Sequence, residues 1–244
     1  GFGYAARKYG MSSDSIISAD MVTANGTFLS SINSTNNPDL YFALRGAGNA
    51  GYGIITSLTF KIYPIPPIIT AINISYVSEQ VEFVFKSLEK VAKTLNNNIS
   101  PYIRIVPKND RLYICLFYGE FLGSVEEAKS AVKELIELSN PVYTRFVEMS
   151  WWDMIKGAPT YDRQPSKSSS YVIGSPGLPL EGINFLRNFI DNVECTTKAI
   201  FDLYGGAISR FSVNSSAFIH REALYVLQIA MHVKGYSQEV QANA

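Results

Sequence analysis

The feature that most restricts the fold is the alternation of strand and helix patterns between residues 68 and 147. Three runs alternate apolar and polar residues as strands with one buried face do: 68–77, 102–106 and 112–118. Apolar residues recur at helical spacing after Ser78, which is the expected N-cap, and again after Ser124, which forms a capping box with Glu127. The order strand–helix–strand–strand–helix is the split βαβ pattern, so we predict an α+β fold whose antiparallel sheet is covered by helices on one face.

Residues 1–66 have a different pattern, rich in glycine and in loops. The predicted strands cover 16–24, 27–32 and 52–62, and a short helix covers 40–44. Asn25-Gly26 is the turn of a hairpin, and Asp39 is the expected N-cap of the helix. A proline cluster at 64–67 then marks a domain junction. We therefore predict two domains, 1–66 and 67–244.

Residues 148–233 continue the second domain less regularly. Helices are predicted over 149–155 and 181–193, and strands over 170–173, 198–203 and 223–232. The residues from 235 onwards are polar and carry neither pattern. We expect the second domain to be incomplete at its C-terminus.

Composition excludes several classes of protein. Lysine plus arginine equals aspartate plus glutamate, 21 each, so no basic surface for nucleic acid is expected. The longest apolar runs are about five to seven residues, far short of the roughly 20 that span a bilayer, so no membrane segment is expected. His220 and His232 lie twelve residues apart with no further ligand at metal spacing, and no metal site is expected. The chain also lacks the G-x-S-x-G motif of a serine hydrolase.

Two glycine-rich loops are candidates for ligand binding, and one carboxylate is a candidate for catalysis. The loops are Gly1-Phe2-Gly3 and residues 46–53, whose bare main chain can lie against a phosphate or a flat ring system; ordinary turn glycines are the alternative. Asp202 ends an apolar strand just before Gly205-Gly206. Partial desolvation there raises the pKa of a carboxyl group and suits a general base, whereas a strand-end aspartate that accepts turn amides is the alternative.

Several blocks resemble one known family, in the same order along the chain. GFGYAARKYGMSSDSIISADMVTANG (1–26) resembles the second half of the PCMH-type FAD-binding domain of berberine-bridge-enzyme-like oxidases, which belong to the vanillyl-alcohol-oxidase superfamily. NPDLYFALRGAGNAGYGIIT (37–56) is similar to their DL[FW]WALRGGG segment, and KSSSYV (167–172) to their KxSx[YF]V strand. YGGAISRFSVNSSAFIHREALYVLQ (204–228) is similar to their GG…[TS]A[FY]xHRxxL[YF] block. The resemblance covers nearly all of the chain.

The resemblance implies FAD as the cofactor and assigns residues to it. Gly1, Gly3 and Tyr4 would lie along the flavin and its pyrophosphate. The adenine half would contact the backbone of Gly51, Tyr52, Gly53 and Ile54. Asp202 occupies the place of an aspartate that assists a tyrosine base in sugar-oxidising members. Arg210 is placed where plant alkaloid members have a glutamate, in the strand after Gly-Gly, which favours the microbial, carbohydrate-oxidase-like branch.

The resemblance therefore implies an FAD-linked oxidase that moves a hydride from a sugar-like alcohol or hemiacetal to the flavin, with oxygen reduced to hydrogen peroxide. Its partners would be oxygen and a small molecule. Four aromatic residues are candidates to line the substrate groove, although each also suits the core: Tyr102, Tyr113, Tyr118 and Trp152. An oxidase of a small secondary metabolite and a non-catalytic truncated paralogue are the alternatives.

The chain begins at Gly1, and the family's flavin-linking histidine and cysteine and its catalytic tyrosine match no residue in it. We expect a fragment of a longer protein, inactive alone. N-glycosylation sequons occur at five asparagines: Asn25, Asn33, Asn73, Asn98 and Asn214. This number favours the secretory route, so an extracellular protein is expected.

Overall fold

The computed structural model describes residues 1–47, 51–107, 115–156, 166–193 and 195–232. Within these ranges the chain forms ten β-strands and seven α-helices, and the strands form two antiparallel sheets. The predicted α+β class is confirmed. The predicted Tyr113 falls outside the described residues.

The small sheet is built from the first three strands in the order β2–β1–β3. Its strands are β1 (Ile16–Thr23), β2 (Phe28–Ile32) and β3 (Gly53–Phe60), and the helices of this part are α1 (Ala6–Tyr9) and α2 (Pro38–Leu44). The expectation that Asp39 caps α2 is wrong. The N-cap residue is Asn37, at a left-handed φ of 56°, and Asp39 lies inside the first turn.

The large sheet follows in the order β7–β4–β6–β5–β9–β10–β8, with every neighbouring pair antiparallel. Its strands are β4 (Ile69–Tyr76), β5 (Tyr102–Ile105), β6 (Cys115–Phe121), β7 (Tyr143–Met149), β8 (Ser166–Ile173), β9 (Thr196–Leu203) and β10 (Tyr225–His232). The helices are α3 (Val81–Val91), α4 (Val125–Ser139), α5 (Trp151–Lys156), α6 (Leu180–Asn192) and α7 (Ala207–Arg210). The proposed division at 66/67 falls between β3 and β4 and stays a prediction.

The main core lies between one face of the large sheet and helices α3, α4 and α6. Phe201 of β9 stands at its centre, with its ring edge-on to Phe85 of α3 at 4.7 Å and to Tyr225 of β10 at 5.3 Å. Aromatic pairs of this geometry add to the stabilisation from apolar burial. Because the helices fill this face, polar side chains of the strands project from the opposite face.

Of the two capped helix starts expected beside the large sheet, one is confirmed and one is wrong. The capping box at α4 is confirmed, since Glu127 N–H donates to Ser124 Oγ at 3.4 Å and Ser124 N–H donates to Glu127 Oε2 at 2.9 Å. Ser78 does not cap α3. It begins a 3-10 turn instead, in which Val77 N–H donates to Gln80 Oε1 at 3.0 Å. Strand β7 was not predicted, because this edge strand is largely exposed and its alternation is weak.

The N-terminal segment packs on the large sheet rather than on the small one. The buried Arg7 guanidinium donates to the carbonyl oxygens of Tyr204 and of Leu95, the latter at 2.8 Å. A Cβ at Gly206, where φ is +59°, would stand 2.3 Å from Arg7 O, so the two backbones approach too closely for another residue. This contact fixes Gly1 to Tyr4 beside the ends of β9 and β5.

A buried ion pair joins the same regions. Arg221 Nη2 lies 2.6 Å from Asp14 Oδ1, and both side chains are 1% exposed. Arg221 also donates to Ser216 Oγ at 2.8 Å and lies over the rings of Phe218 and Phe211. Among the residues that the structure describes, no helix is long and apolar enough to cross a membrane.

Candidate flavin and substrate site

A cavity of about 380 Å³ lies on the helix-free face of the large sheet, under the N-terminal loop. Its lining comes from four parts of the chain: Phe2, Gly3, Tyr4, Ser100, Tyr102, Arg104, Ile200, Asp202 and Gln228. The antiparallel register explains this convergence, because Tyr102 on β5 pairs with Asp202 on β9, and Ile200 pairs with Gln228 on β10. Directly opposed residues project on the same face. Four residues singled out from the sequence therefore meet in one cavity: Gly3, Tyr4, Tyr102 and Asp202.

Asp202 is the acidic group of this cavity. Burial raises its pKa, and the amide of Gln228, which donates to Asp202 Oδ2, together with nearby Arg104, opposes that rise. The desolvation expected at the end of this strand is present. A carboxyl group in this state holds a proton at higher pH than a solvated aspartate does, which suits proton transfer.

Two tyrosines and an arginine form the floor beside Asp202. The rings of Tyr102 and Tyr118 stack with centroids 5.5 Å apart. The Arg104 guanidinium lies over both, 4.8 Å from the centroid of Tyr102 and 5.5 Å from that of Tyr118. Burial raises the pKa of Tyr102 above its ordinary value, so this phenol stays neutral at physiological pH. Tyr118 lies beside the cavity, behind Tyr102.

A second carboxyl group lies on the same face of the sheet. Glu120 on β6 is 8% exposed, and its Oε2 has no hydrogen-bond partner within the described part of the chain. Burial raises its pKa to about 7, against the opposing effects of a backbone hydrogen bond and of Arg104. Sequence reasoning missed Glu120, Arg104 and Gln228. The available signal was the period-two spacing of Tyr102 with Arg104 and of Tyr118 with Glu120, which places each pair on one face.

The main chain at Gly3 is open towards the cavity. A Cβ built at Gly3 would meet no atom within 4 Å, so bare backbone faces free space there, whereas a Cβ at Gly1 would stand 3.2 Å from Ser12 Oγ. A flat ring system can approach such a backbone closely. The open main chain at Gly3 can accommodate such a ring, and the assignment of Gly1, Gly3 and Tyr4 to the flavin stays a prediction.

The other predicted cofactor residues lie elsewhere. Gly51, Tyr52, Gly53 and Ile54 stand at the start of β3 in the small sheet, and they do not line the cavity. They are exposed, Ile54 to 73% and Tyr52 to 48%. Their contact with the adenine half of FAD stays a prediction.

Two further residues stand apart from the cavity. Trp152 lies on α5 after the edge strand β7 and is 62% exposed, with Lys156 over its ring. Arg210 ends the short helix α7 and is exposed. Its placement in the strand after Gly205-Gly206 is wrong, because residues 207–210 are helical and that strand is β10. Gln228 is the β10 residue that contacts Asp202.

No group of three or more His, Cys, Asp or Glu residues that could hold a metal ion occurs within the described ranges. The cavity is lined by hydrogen-bonding side chains, one carboxyl group, one cation, two apolar side chains and open main chain. This arrangement can bind a polar organic molecule and exchange a proton with it.

Comparisons with known proteins find relatives among FAD-linked oxidoreductases and oligosaccharide oxidases. The chain matches no family model. It is 31% identical over 246 residues to the uncharacterized FAD-linked oxidoreductase YvdP of Bacillus subtilis, covering 98% of the chain and 54% of that protein. It is 26% identical to the xylooligosaccharide oxidase of Thermothelomyces thermophilus, covering 91% of the chain and 48% of that protein. The BBE-like 1 structure of Physcomitrella patens superposes with a TM-score of 0.84 at 28% identity, covering 96% of the chain and 54% of that structure. The chain spans about half the length of the relatives it matches.

Proposed function

We propose that this chain, which is homologous to the berberine-bridge-enzyme-like FAD-linked oxidoreductases, provides the substrate-facing part of an FAD-dependent oxidase. The reaction is the oxidation of a CH–OH group of a sugar-like substrate, with oxygen as the electron acceptor. One observation carries the proposal: a single cavity contains both the open main chain of Gly3 and the desolvated carboxyl group of Asp202.

The residues that would hold FAD are those of the two glycine loops. Gly1, Gly3 and Tyr4 are assigned to the flavin side, and Gly51, Tyr52, Gly53 and Ile54 to the adenine half. Bound FAD would supply the chemistry of hydride acceptance and of reoxidation by oxygen. The protein supplies a pocket that orients the substrate between the loop and the sheet.

We assign to Asp202 the role of accepting the proton of the reacting hydroxyl group, directly or through a second base. Its carboxyl group lies at the cavity wall, and Gln228 orients it by donating to Oδ2. A base that accepts the proton of the reacting hydroxyl, directly or through a second base, must lie within hydrogen-bonding distance of it. Tyr102 is assigned to substrate contact, because its ring lines the cavity. Tyr118 and Trp152 do not line it, and their contact with the substrate stays a prediction.

A sugar-like substrate suits the lining better than an apolar metabolite does. Asp202, Gln228, Arg104 and Ser100 offer several donors and acceptors in a cavity of about 380 Å³. A hydroxyl-rich ring needs this density of polar groups, because each buried hydroxyl must keep a partner. A relative of the chain is a xylooligosaccharide oxidase.

The flavin assignment is tested with the protein expressed from its intact gene. We expect a visible flavin absorption band, and we expect Gly3→Val to weaken FAD binding about tenfold or more because the new side chain fills the open space. Gly174→Val is the matched control, since a Cβ at Gly174 also meets no atom within 4 Å but Gly174 lies outside the cavity. A colourless protein that takes up no FAD would contradict the assignment and favour a non-catalytic paralogue.

The role of Asp202 is tested by peroxide release with a panel of oligosaccharides, phenolics and alkaloids. Asp202→Asn removes the proton acceptor and should lower turnover about 100-fold or more. Asp39→Asn, on the exposed first turn of α2, should leave turnover unchanged. Peroxide release with phenolics or alkaloids and with none of the sugars would overturn the sugar assignment.

A secretory location is part of the proposal. Asn25 and Asn214 are exposed, and Asn25 sits in a turn where its Oδ1 accepts from Thr27 N–H at 3.1 Å. Ser100, the acceptor residue of the Asn98 sequon, is 2% exposed and accepts a hydrogen bond from Arg7 N–H. We expect glycans at Asn25 and Asn214 when the protein is made in a secreting eukaryotic host. An unchanged electrophoretic mobility after endoglycosidase treatment would contradict this.

A further inference from the structure

Arg104 is the cation of the cavity. Within the described ranges its guanidinium forms no ion pair, and its buried Nε has no hydrogen-bond partner. The positive charge of Arg104 reaches two carboxyl groups, because it opposes the rise that burial causes in the pKa of Asp202 and of Glu120. A buried guanidinium N–H without a partner is costly, and a ligand that supplies an acceptor removes that cost.

Aromatic rings hold the guanidinium in place. Arg104 lies 4.8 Å from the ring centroid of Tyr102 and 5.5 Å from that of Tyr118. A guanidinium held over aromatic rings by cation–π attraction can keep its planar N–H edge for hydrogen bonds to other groups. This edge matches the two oxygens of a carboxylate or a phosphate.

The register places this edge next to the proposed reaction centre. Arg104 pairs with Ile200, two residues along β9 from Asp202, and both Arg104 and Asp202 line the same cavity. Diagonal neighbours on one face of a sheet are about 7–8 Å apart. One monosaccharide unit can therefore contact both side chains.

The arrangement of charges also favours an anion at the Arg104 end of the cavity. Besides Asp202, the other polar lining side chains are neutral: Tyr4, Ser100, Tyr102 and Gln228. Asp202 and Arg104 stand on different strands and form no ion pair within the described ranges, so the cavity has an acidic end and a cationic end. Glu120 does not fully offset Arg104, because burial raises the pKa of its carboxyl group to about 7. An anionic group therefore suits the Arg104 end, and the reacting hydroxyl suits the Asp202 end.

We propose that Arg104 binds an anionic group of the substrate, so that the preferred substrate is an acidic sugar rather than a neutral one. The substrate would carry a carboxylate or a phosphate on the same sugar unit as the reacting hydroxyl group, since either anion can accept two hydrogen bonds from a guanidinium. This inference rests on the proposed oxidase function and makes it more specific.

The test is calorimetric binding at pH 7 to the protein from its intact gene, with D-glucuronate, D-glucose and D-glucose 6-phosphate as probes. We expect at least one anionic sugar to bind about tenfold or more tightly than glucose. Arg104→Gln should remove this preference by weakening the anionic sugar about tenfold more than it weakens glucose, and Arg104→Lys should restore only part of the preference, because a lysine lacks the bidentate edge. Tighter binding of D-glucuronate would identify a carboxylate as the preferred anionic group, and tighter binding of D-glucose 6-phosphate would identify a phosphate.

Arg145→Gln is the matched control. Arg145 is an exposed arginine on the same face of the large sheet, on β7, three strands and about 14 Å from β5. This variant should keep the preference for the anionic sugar.

Equal binding of acidic and neutral sugars, no binding of any probe, or an equal loss of both in Arg104→Gln would overturn the proposal. The last result would mean that Arg104 only supports the tyrosines. Because calorimetry needs no turnover, an acidic-sugar preference without bound flavin or peroxide release would instead reject the oxidase function and keep the Arg104 site.

Discussion

The small and large sheets bury their residues very differently. The small sheet has a core of Ala19, Met21 and Ile32, and every residue of β3 is exposed, including the apolar Ile54. One face of the large sheet and three helices enclose a continuous apolar core between them. Folding free energy scales with the apolar area removed from water, so the large sheet supplies most of the stability of this chain.

The junction between the two regions combines a small apolar cluster, formed by Ala6, Met11, Tyr204 and Ile208, with several polar contacts. Asp14 pairs with Arg221, Arg45 donates to Ser215 O, and Ala217 N–H donates to Phe42 O at 3.2 Å. Such contacts are directional and specify how the N-terminal loop sits over the cavity. The comparison teaches that the site depends on a large apolar core for rigidity and on a few buried polar groups for placement.

The largest expected loss of stability comes from breaking the ion pair at the junction between the two regions. Asp14→Asn leaves the charge of Arg221 buried without its partner and should lower the free energy of unfolding by about 3–5 kcal/mol. Glu137→Gln makes the same change in the exposed pair with Lys133 and should cost less than about 0.5 kcal/mol. Urea unfolding followed by circular dichroism measures both. Similar losses in the two variants would show that the buried pair does not hold the regions together.

The next effect compares the two sheets directly. Ile74→Ala in β4 creates a cavity in the large core and should cost about 2–5 kcal/mol. Ile54→Ala in β3 removes a side chain that is 73% exposed and should change stability by less than about 0.5 kcal/mol. Comparable values in urea unfolding would contradict the unequal contributions of the sheets.

A smaller effect depends on pH. The pKa of Glu120 rises from 4.5 in the unfolded chain to about 7 in the folded one. The unfolded state ionises first, so Glu120 lowers stability as the pH rises between these values, by on the order of 2–3 kcal/mol in total. Glu120→Gln should flatten the stability profile over this window, and Glu126→Gln, exposed on α4, should not. An unchanged slope in Glu120→Gln would show that this carboxyl group is hydrated.

The smallest effect concerns helix starts. Ser124→Ala removes the capping box of α4 and should cost about 1 kcal/mol. Asp39→Ala in α2 removes no cap hydrogen bond and should cost less than about 0.5 kcal/mol. Thermal unfolding resolves this difference, and an equal loss would mean that Asp39 stabilises α2 in another way.

Local patterns predicted most elements of both sheets. Strands β1 to β5, β9 and β10 were predicted within two residues of their bounds. The buried faces of β1, β4 and β9 alternate clearly, whereas β2 is marked by the hairpin turn that precedes it and β3 by the proline cluster that follows it. Exposed β7 and the single turns α1 and α7 were missed, since neither apolar periodicity nor capping marks them. Arg210 was placed in a strand through the family resemblance, and the structure places it in α7.

The site was only partly predictable. Asp202 and Gly3 carry local signals, a strand end and a bare loop. Gln228 carries no local signal, and Arg104 carries only its period-two spacing with Tyr102. The proximity of both to Asp202 depends on β5 and β10 lying on either side of β9. This order joins segments about 100 residues apart in the chain, and no short-range pattern encodes it.

Arg7 has a consequence for how this architecture can be recognised in other sequences. Its guanidinium binds the carbonyl oxygens of Tyr204 and Leu95, and every amino acid presents a carbonyl oxygen. Replacement of either partner residue therefore keeps the acceptor. Methods that find neighbouring positions from correlated substitutions will see an arginine without a covarying partner at this contact.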